Sequence, residues 1–344
     1  MRNVEKNDIN KYQIKCGNFT FNINTHMQCV NEAAFDQIIA NPMIPHFEAN
    51  IWIEKKIDTD HLNACMENGI NFIPPQIVKL YDILDCNGIP HIPSNKRINR
   101  FSDLNGMVYA RFPYITDNFY LTYRPRTQEI FIVGDEVTLE RIIIDFLSIT
   151  AQMTPLHGGC VTINNNSFLI LGESKSGKSS LILKLMDLGA EYIADDILLI
   201  HNNEVIRQGS YMGIRNDFLP QKLKSLYLGK SSEHYSYINI FEMEKALGYR
   251  LGKRSTISDI FMIHPMEYSK LATCQLFPMI PHESIWCTDV LDFDFCNIEK
   301  NIQESKKFYL NMLKKSHNIK INFNDFDKYS KGLYNRLHDF KSHY

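Results

Sequence analysis

The sequence has no apolar run long enough to span a bilayer, and its first residues, MRNVEKNDINKYQ, hold no apolar signal core. Neither a membrane protein nor an exported one is expected, and the cytoplasm is the expected compartment. There is no charge excess either. Lys and Arg number 37 against 39 Asp and Glu, a net charge of −2, so nucleic acid is not an expected partner. CxxC pairs and Cys/His clusters are missing. The eight cysteines, Cys16, Cys29, Cys65, Cys86, Cys160, Cys274, Cys287 and Cys296, are scattered, as free thiols in a reducing compartment would be. Internal repeats and low-complexity segments are absent too. What remains is ordinary: 344 residues, 44% hydrophobic and 22% charged, enough for one large domain or two modest ones.

One stretch stands out, FLILGESKSGKSSLILKLMDLGAEYIADD, from Phe168 to Asp196. Phe168 to Leu171 read as a buried strand. Gly172-Glu173-Ser174-Lys175-Ser176-Gly177-Lys178-Ser179 then fits G-x-x-x-x-G-K-[ST] at every fixed position. Gly172 and Gly177 permit backbone turns that a Cβ would obstruct. Backbone N–H groups of the loop, continuing to Ser180 in the next helix, would face phosphates. Lys178 would reach the β- and γ-phosphates of ATP, and the Ser179 hydroxyl would sit on Mg²⁺. The pattern needs a strand before it and a helix after it. Leu181, Ile182, Leu185 and Leu188 recur at helical spacing, and Gly189 suits the residue beyond the helix end. A strand, Tyr192 to Ala194, then runs into Asp195-Asp196.

The flanks are less specific. Before residue 135 the chain reads as an α+β domain with an antiparallel sheet. Tyr12 to Asn24 holds strand patterns, Ala49 to Glu54 is another, and Met107–Arg111, Asn118–Arg124 and Glu129–Val133 form a meander. Gly69 to Ile98 reads as irregular, with a short helix near Gln76 to Leu84. Arg111, Arg124 and Arg126 are candidates for a carboxylate or phosphate, or plain solvated arginines. Asp135 to Met153 is an amphipathic helix through Leu139, Ile142, Ile143, Phe146, Leu147 and Ile149, stopped by Pro155. Leu156-His157-Gly158-Gly159 leads into strand Cys160 to Ile163, and Asn164-Asn165-Asn166 supplies a tight hairpin. A second hairpin crosses His201 to Glu204. Gln221 to Leu247 reads as a polar excursion, and Tyr249 to Ser255 as a basic loop. Arg215, Arg250, Lys253 and Arg254 are candidates to clamp a phosphate or a substrate carboxylate. From Asn297 the chain turns helical, with stripes at Ile302, Tyr309, Met312 and Leu313, then at Leu333, Tyr334 and Leu337. The expected domains are 1–134, 135–295 and a helical extension, 296–344.

His157-Gly158, the glycine-rich loop, the helix ending Leu188-Gly189 and Ala194-Asp195-Asp196 together resemble the catalytic domain of the HPr kinase/phosphorylase family. The spacings are part of the likeness: fifteen residues from His157 to Gly172, seventeen from Lys178 to Asp195. The resemblance covers roughly Thr154 to Arg207, and the family's downstream P-G-R-N type signature is absent. The Leu-His-Gly-Gly run and the long N-terminal region look more like the tailoring kinases of ribosomally made peptides, lasso-peptide precursor kinases among them. The fold this implies is α/β: an HPr-kinase-like domain with a mixed sheet, preceded by an α+β domain and followed by helices. The activity it implies is transfer of phosphate from ATP, with Mg²⁺, to a serine hydroxyl of a peptide or protein. A homo-oligomer is left open.

Chemistry alone supports a similar division of labour. Phosphoryl transfer needs positioning, charge neutralisation and a group that accepts the hydroxyl proton. Lys178 neutralises charge. Neighbouring strand residues point to opposite faces, so Asp195 and Asp196 should have different roles. Asp195 is expected to be the base and Asp196 to join Ser179 on the metal. His157 orients the base or contacts the γ-phosphate. The competing reading is an ATPase or nucleotide sensor that transfers phosphate to no partner.

Overall fold

The computed structural model describes residues 9–25, 31–40, 42, 46–54, 70–72, 98–102, 108–111, 120–124, 129–133, 139–140, 143–144, 147, 153–172, 176–231, 235–265, 307, 311, 314–321 and 325–339. The chain divides into two compact units, Met1–Ala151 with Pro281–Asn297, and Gln152–Ile280 with Ile298–Tyr344. This division differs from sequence boundaries at 134 and 295. Residues 135–151 join the first unit, and the C-terminal helix joins the second rather than standing as an extension. No helix among the described residues is long and apolar enough to cross a membrane.

The first unit is built on one sheet of eight strands: β1 (Asn10–Cys16), β2 (Phe19–Thr25), β3 (Phe47–Glu54), β4 (Ile70–Phe72), β5 (Ile98–Ser102), β6 (Val108–Arg111), β7 (Tyr120–Arg124) and β8 (Glu129–Val133). Their order is β1-β2-β3-β8-β7-β6-β5-β4. The β6-β7-β8 meander is antiparallel, as its spacing predicts. The sheet as a whole is not. β3 is inserted between β2 and β8 and runs parallel to both. Parallel neighbours require long crossovers, and strand patterns alone do not reveal where a crossover lands. Two short strands, β4 and β5, also bracket the stretch read as irregular. Ile14, Phe21, Ile23, Ile51 and Ile53 are buried, as are Leu139, Ile143, Ile144 and Leu147 in the following helical segment. Arg111 and Arg124 lie on β6 and β7. The helix expected near Gln76 to Leu84, Arg126, and Ile142, Phe146 and Ile149 fall outside the described residues.

The second unit carries β9 (Thr154–His157), β10 (Gly159–Ile163), β11 (Asn166–Gly172), α1 (Lys178–Asp187), β12 (Glu191–Ala194), β13 (Ile197–His201), β14 (Glu204–Ile206), β15 (Tyr211–Arg215), β16 (Tyr227–Ser231), β17 (Tyr235–Asn239), α2 (Ile240–Leu247), β18 (Arg250–Leu251), β19 (Arg254–Pro265), β20 (His317–Ile321) and α3 (Phe326–His338). A nine-stranded sheet has the order β18-β12-β10-β11-β19-β14-β13-β9, with β20 also beside β19. It is mixed: β11–β19, β19–β20 and β12–β18 are parallel and the other pairs antiparallel. A small second sheet has the order β15-β17-β16.

Helix α1 is apolar on nearly every side. Leu181, Ile182, Leu183, Leu185 and Met186 are all buried, so it is a core helix rather than a surface one. They share one cluster with Val161, Phe168 and Ile170 of the large sheet, Met212 and Ile214 of the small one, and Leu333 and Leu337 of α3. The C-terminal helix therefore completes the packing around α1. The helix ends where Gly189 adopts φ 108° and Ala190 N–H donates to Leu185 O at 2.9 Å. Both predicted asparagine hairpins form, with positive φ at Asn164, Asn165, Asn202 and Asn203.

Three readings are corrected here. Residues 221–247 are not an excursion but a 3₁₀ turn, β16, β17 and α2. In β17 Ser236 and Ile238 are buried and Tyr235, Tyr237 and Asn239 less so, an alternation hidden by polar side chains. The basic loop contains β18 and the start of β19. The C-terminal stretch contains a strand, β20, before its last helix. One more strand, β9, is hidden because Pro155 reads as a stop; it lies at the sheet edge, where proline is tolerated.

Gly159 lets α1 approach the sheet: a Cβ there would lie 1.9 Å from Ile182 Cδ1. Gly159→Ala is expected to cost about 1–3 kcal/mol through overpacking. Thermal melting checks this, and an unchanged midpoint would show that Ile182 simply rotates away.

Candidate functional site

Two distant dipeptides meet because they lie on one kinked ribbon. β9 and β10 form a broken strand with Gly158 at the break, and β12 and β13 form another with Asp195-Asp196 at theirs. Cys160 pairs with Ala194, and His157 with Ile197, in one continuous register. That register sets Gly158 opposite Asp196 and Gly159 opposite Asp195. Gly158 N–H donates to Asp196 O at 3.1 Å, and Ile197 N–H donates to Asp195 O at 2.9 Å. Asp196 holds φ 69°, a left-handed conformation that costs a non-glycine residue energy and turns its side chain off the strand.

The turn delivers the two acids differently. Asp196 is half exposed, with Oδ1 3.2 Å from His157 Nδ1, an ion-pair distance at which the buried nitrogen makes no hydrogen bond. Asp195 is buried, and neither of its carboxylate oxygens has a hydrogen-bond partner. Burial pushes its pKa up to about 6. The Ser179 hydroxyl, Lys178 and the Asp196 amide pull it back, and the Asp196 charge adds to the rise. Ser179 is close enough to have that influence but stops short of hydrogen-bond geometry. Asp195 therefore belongs with Ser179, and Asp196 with His157.

The third component is the segment between β11 and α1. Gly172 has φ 154°, and a Cβ there would come within 2.7 Å of Ile263 O and of Ser176 Oγ. Gly177, at φ 94°, is the N-cap of α1 and supplies no capping side chain. The first amides of a helix have no intrahelical acceptors, so this helix start is suited to an anion. Lys178 is buried and folds back to donate to Gly172 O at 3.0 Å. Ser176 is buried with its hydroxyl unbonded, and Ser179 and Ser180 are partly buried in the first helical turn. Glu173, Ser174 and Lys175 lie outside the described residues. Unbonded oxygens on Asp195 and Ser176, a buried lysine and an uncapped helix start fit a polyphosphate carrying a divalent cation. Among the described residues no cluster of three or more His, Cys, Asp or Glu forms a metal site by itself.

Three of the four expected clamp residues, Arg250, Lys253 and Arg254, lie away from this place. Arg250 donates to Gly189 O and stands 3.7 Å from Glu191. That is beyond the C-terminal end of α1, about 15 Å from its start at 1.5 Å per residue. Arg254 pairs with Glu204. In the parallel β11–β19 register Gly172 lies beside Ile263, nine positions along the strand from Arg254, or roughly 30 Å. Lys253 is exposed at the same end. Arg215 is held by Asp217 at 2.8 Å and lies over the Phe218 ring. A basic, glycine-containing sequence did not distinguish a strand-end ion pair from a phosphate clamp. The thiols Cys16 and Cys160 are buried and free, with pKa values raised by burial, so neither has nucleophilic character.

The structure adds one residue that the sequence reading passed over. Gln208 is buried and its Nε2 donates to Ile197 O, immediately after the acidic pair. Arg207-Gln208-Gly209 has no periodicity to mark it.

No protein-family model and no curated protein matches the chain. Among solved structures, the Hpr(Ser) kinase/phosphatase from Coxiella burnetii is similar over 34% of this chain and 70% of its own, at 23% identity and a TM-score of 0.23. A likeness at that level adds no weight to the geometry above.

Proposed function

We propose that the chain is an ATP-dependent kinase that transfers the γ-phosphoryl group to a serine hydroxyl of a peptide or protein, a ribosomally made precursor peptide being the leading candidate. The observation that carries this reading is the kinked ribbon, which puts His157–Asp196 and Asp195 at one turn, with Asp195 beside Lys178 and Ser179. Bound Mg·ATP supplies the transferable phosphoryl group and part of the neutralising charge. Lys178 and the α1 amides would hold its phosphates. Asp195 and Ser179 would hold the cation, since they are adjacent and the carboxylate oxygens make no hydrogen bond. Asp196 takes the proton of the attacking hydroxyl, and His157 orients it. This exchanges the roles expected for the two aspartates.

Asp196 is 48% exposed, which favours water as a second possible acceptor and so keeps the ATPase reading. Mass spectrometry separates the two. Candidate peptides incubated with ATP and Mg²⁺ are expected to gain one phosphoryl group on serine, and to lose that gain when the serine becomes alanine. ADP formed at the same rate with and without peptide, and no modified peptide, would establish the ATPase instead.

A further inference from the structure

The acidic turn is held at three successive carbonyls. The Asp195 carbonyl accepts from Ile197 N–H, and the Asp196 carbonyl from Gly158 N–H. The third, Ile197 O, has a side-chain donor, Gln208 Nε2. The reason lies in strand pairing. In the β13–β14 hairpin Leu199 faces Ile206 and Ile200 faces Val205. Continued by two residues, that register brings Gln208 opposite Ile197. The backbone has already left the ladder there. Arg207 N–H continues the β14–β19 ladder by one residue, donating to Lys253 O at 2.8 Å, but no backbone bond joins Gln208 to Ile197, and Gly209 turns the chain away at φ 74°. The Gln208 amide thus replaces a missing rung.

Stability alone does not account for glutamine at this position. The side chain is buried, yet its Oε1 has no hydrogen-bond partner. A buried amide with one half unsatisfied is unfavourable. A strained residue such as Asp196 also persists only when its surroundings over-determine it.

We infer that Gln208 is a positioning residue, which holds Asp195 and Asp196 in their reactive arrangement through the Ile197 carbonyl. The inference rests on the kinase reading of that turn. Gln208→Met keeps the length and removes the donor, and Gln208→Glu keeps the shape but sets an acceptor against the carbonyl. Both are to be measured for kcat, KM for ATP, melting temperature and hydrogen exchange at the Gly158 and Ile197 amides. Exchange at those two amides is expected to rise by about tenfold or more. kcat is expected to fall about 10- to 100-fold, the scale of a small misplacement of a reacting group. KM for ATP should stay within about twofold, because Gly172 to Ser179 is untouched. Unchanged exchange, or unchanged kcat beside faster exchange, overturns the proposal. So does a loss of kcat matched by a rise in KM and an early melt. If the wild type binds no ATP, the kinase reading fails, and exchange alone then decides whether Gln208 holds the turn.

Discussion

Lys178→Met is expected to lower phosphoryl transfer by on the order of 10²–10³-fold, the scale of losing one preorganised charge donor, while the fold survives. The argument is local. Lys178 is 6% exposed, and its ammonium has a hydrogen bond to Gly172 O, the last residue of β11. Burying a cation is costly, and methionine fills much the same space without the charge. The variant should therefore melt close to the wild type and bind Mg·ATP more weakly. Isothermal titration with ADP and ATP, beside turnover, checks this. Wild-type turnover in the variant would mean that Gly172 to Ser179 is a tight strand–helix connection and no phosphate site. An early melt with normal residual transfer would mean that the ammonium braces the loop and does no more.

The legible part of the site was the part coded locally. Gly172, Gly177, Lys178 and Ser179 form one short pattern, with a strand before and a helix after, and strand β11 and helix α1 stand where that pattern requires them. The asparagine hairpins were legible for the same reason, since positive φ at Asn164 and Asn165 is a property of the turn itself. Pairings between distant segments were not legible. The insertion of β3 between β2 and β8, and the parallel docking of β20 on β19, depend on where crossovers land. Arg254 was misplaced for a related reason. Its charge suggested a ligand, but a parallel register sets it at the far end of the sheet from Gly172. Which of Asp195 and Asp196 is buried was also hidden. Alternation along a strand foretells opposite directions, but the left-handed kink at Asp196 decides which acid goes inward. The residues opposite the kink, Gly158 and Gly159, lie 37 positions before Asp195-Asp196 in sequence, so no local pattern reveals it.

Asp195→Asn is expected to stabilise the ligand-free protein at neutral pH while abolishing transfer. Burial raises the Asp195 pKa from 3.8 to about 6. A raised carboxylate binds its proton more tightly folded than unfolded. Folding stability therefore falls as pH rises from about 4 to about 6 and stays lower above that range. The shift corresponds to about 3 kcal/mol at neutral pH. Asparagine removes the buried charge but keeps a polar group without partners, so a net gain of on the order of 1–2 kcal/mol is the expectation. At pH 4 the aspartate is already protonated, and the two proteins should melt alike. Mg·ATP reverses the order at neutral pH, since a cation pairs with the carboxylate of the wild type and finds none in the variant. Asp196→Asn is the contrast: this side chain is half exposed, so it should change melting little and cut turnover by about 10²-fold, with Mg·ATP still bound. Melting curves at pH 4 and 7.5, with and without Mg·ATP, separate the cases. An Asp195→Asn protein that melts early at both pH values would show that the carboxylate supports the fold. Equal stabilisation of both proteins by Mg·ATP would take Asp195 off the cation and restore Asp196 to that position.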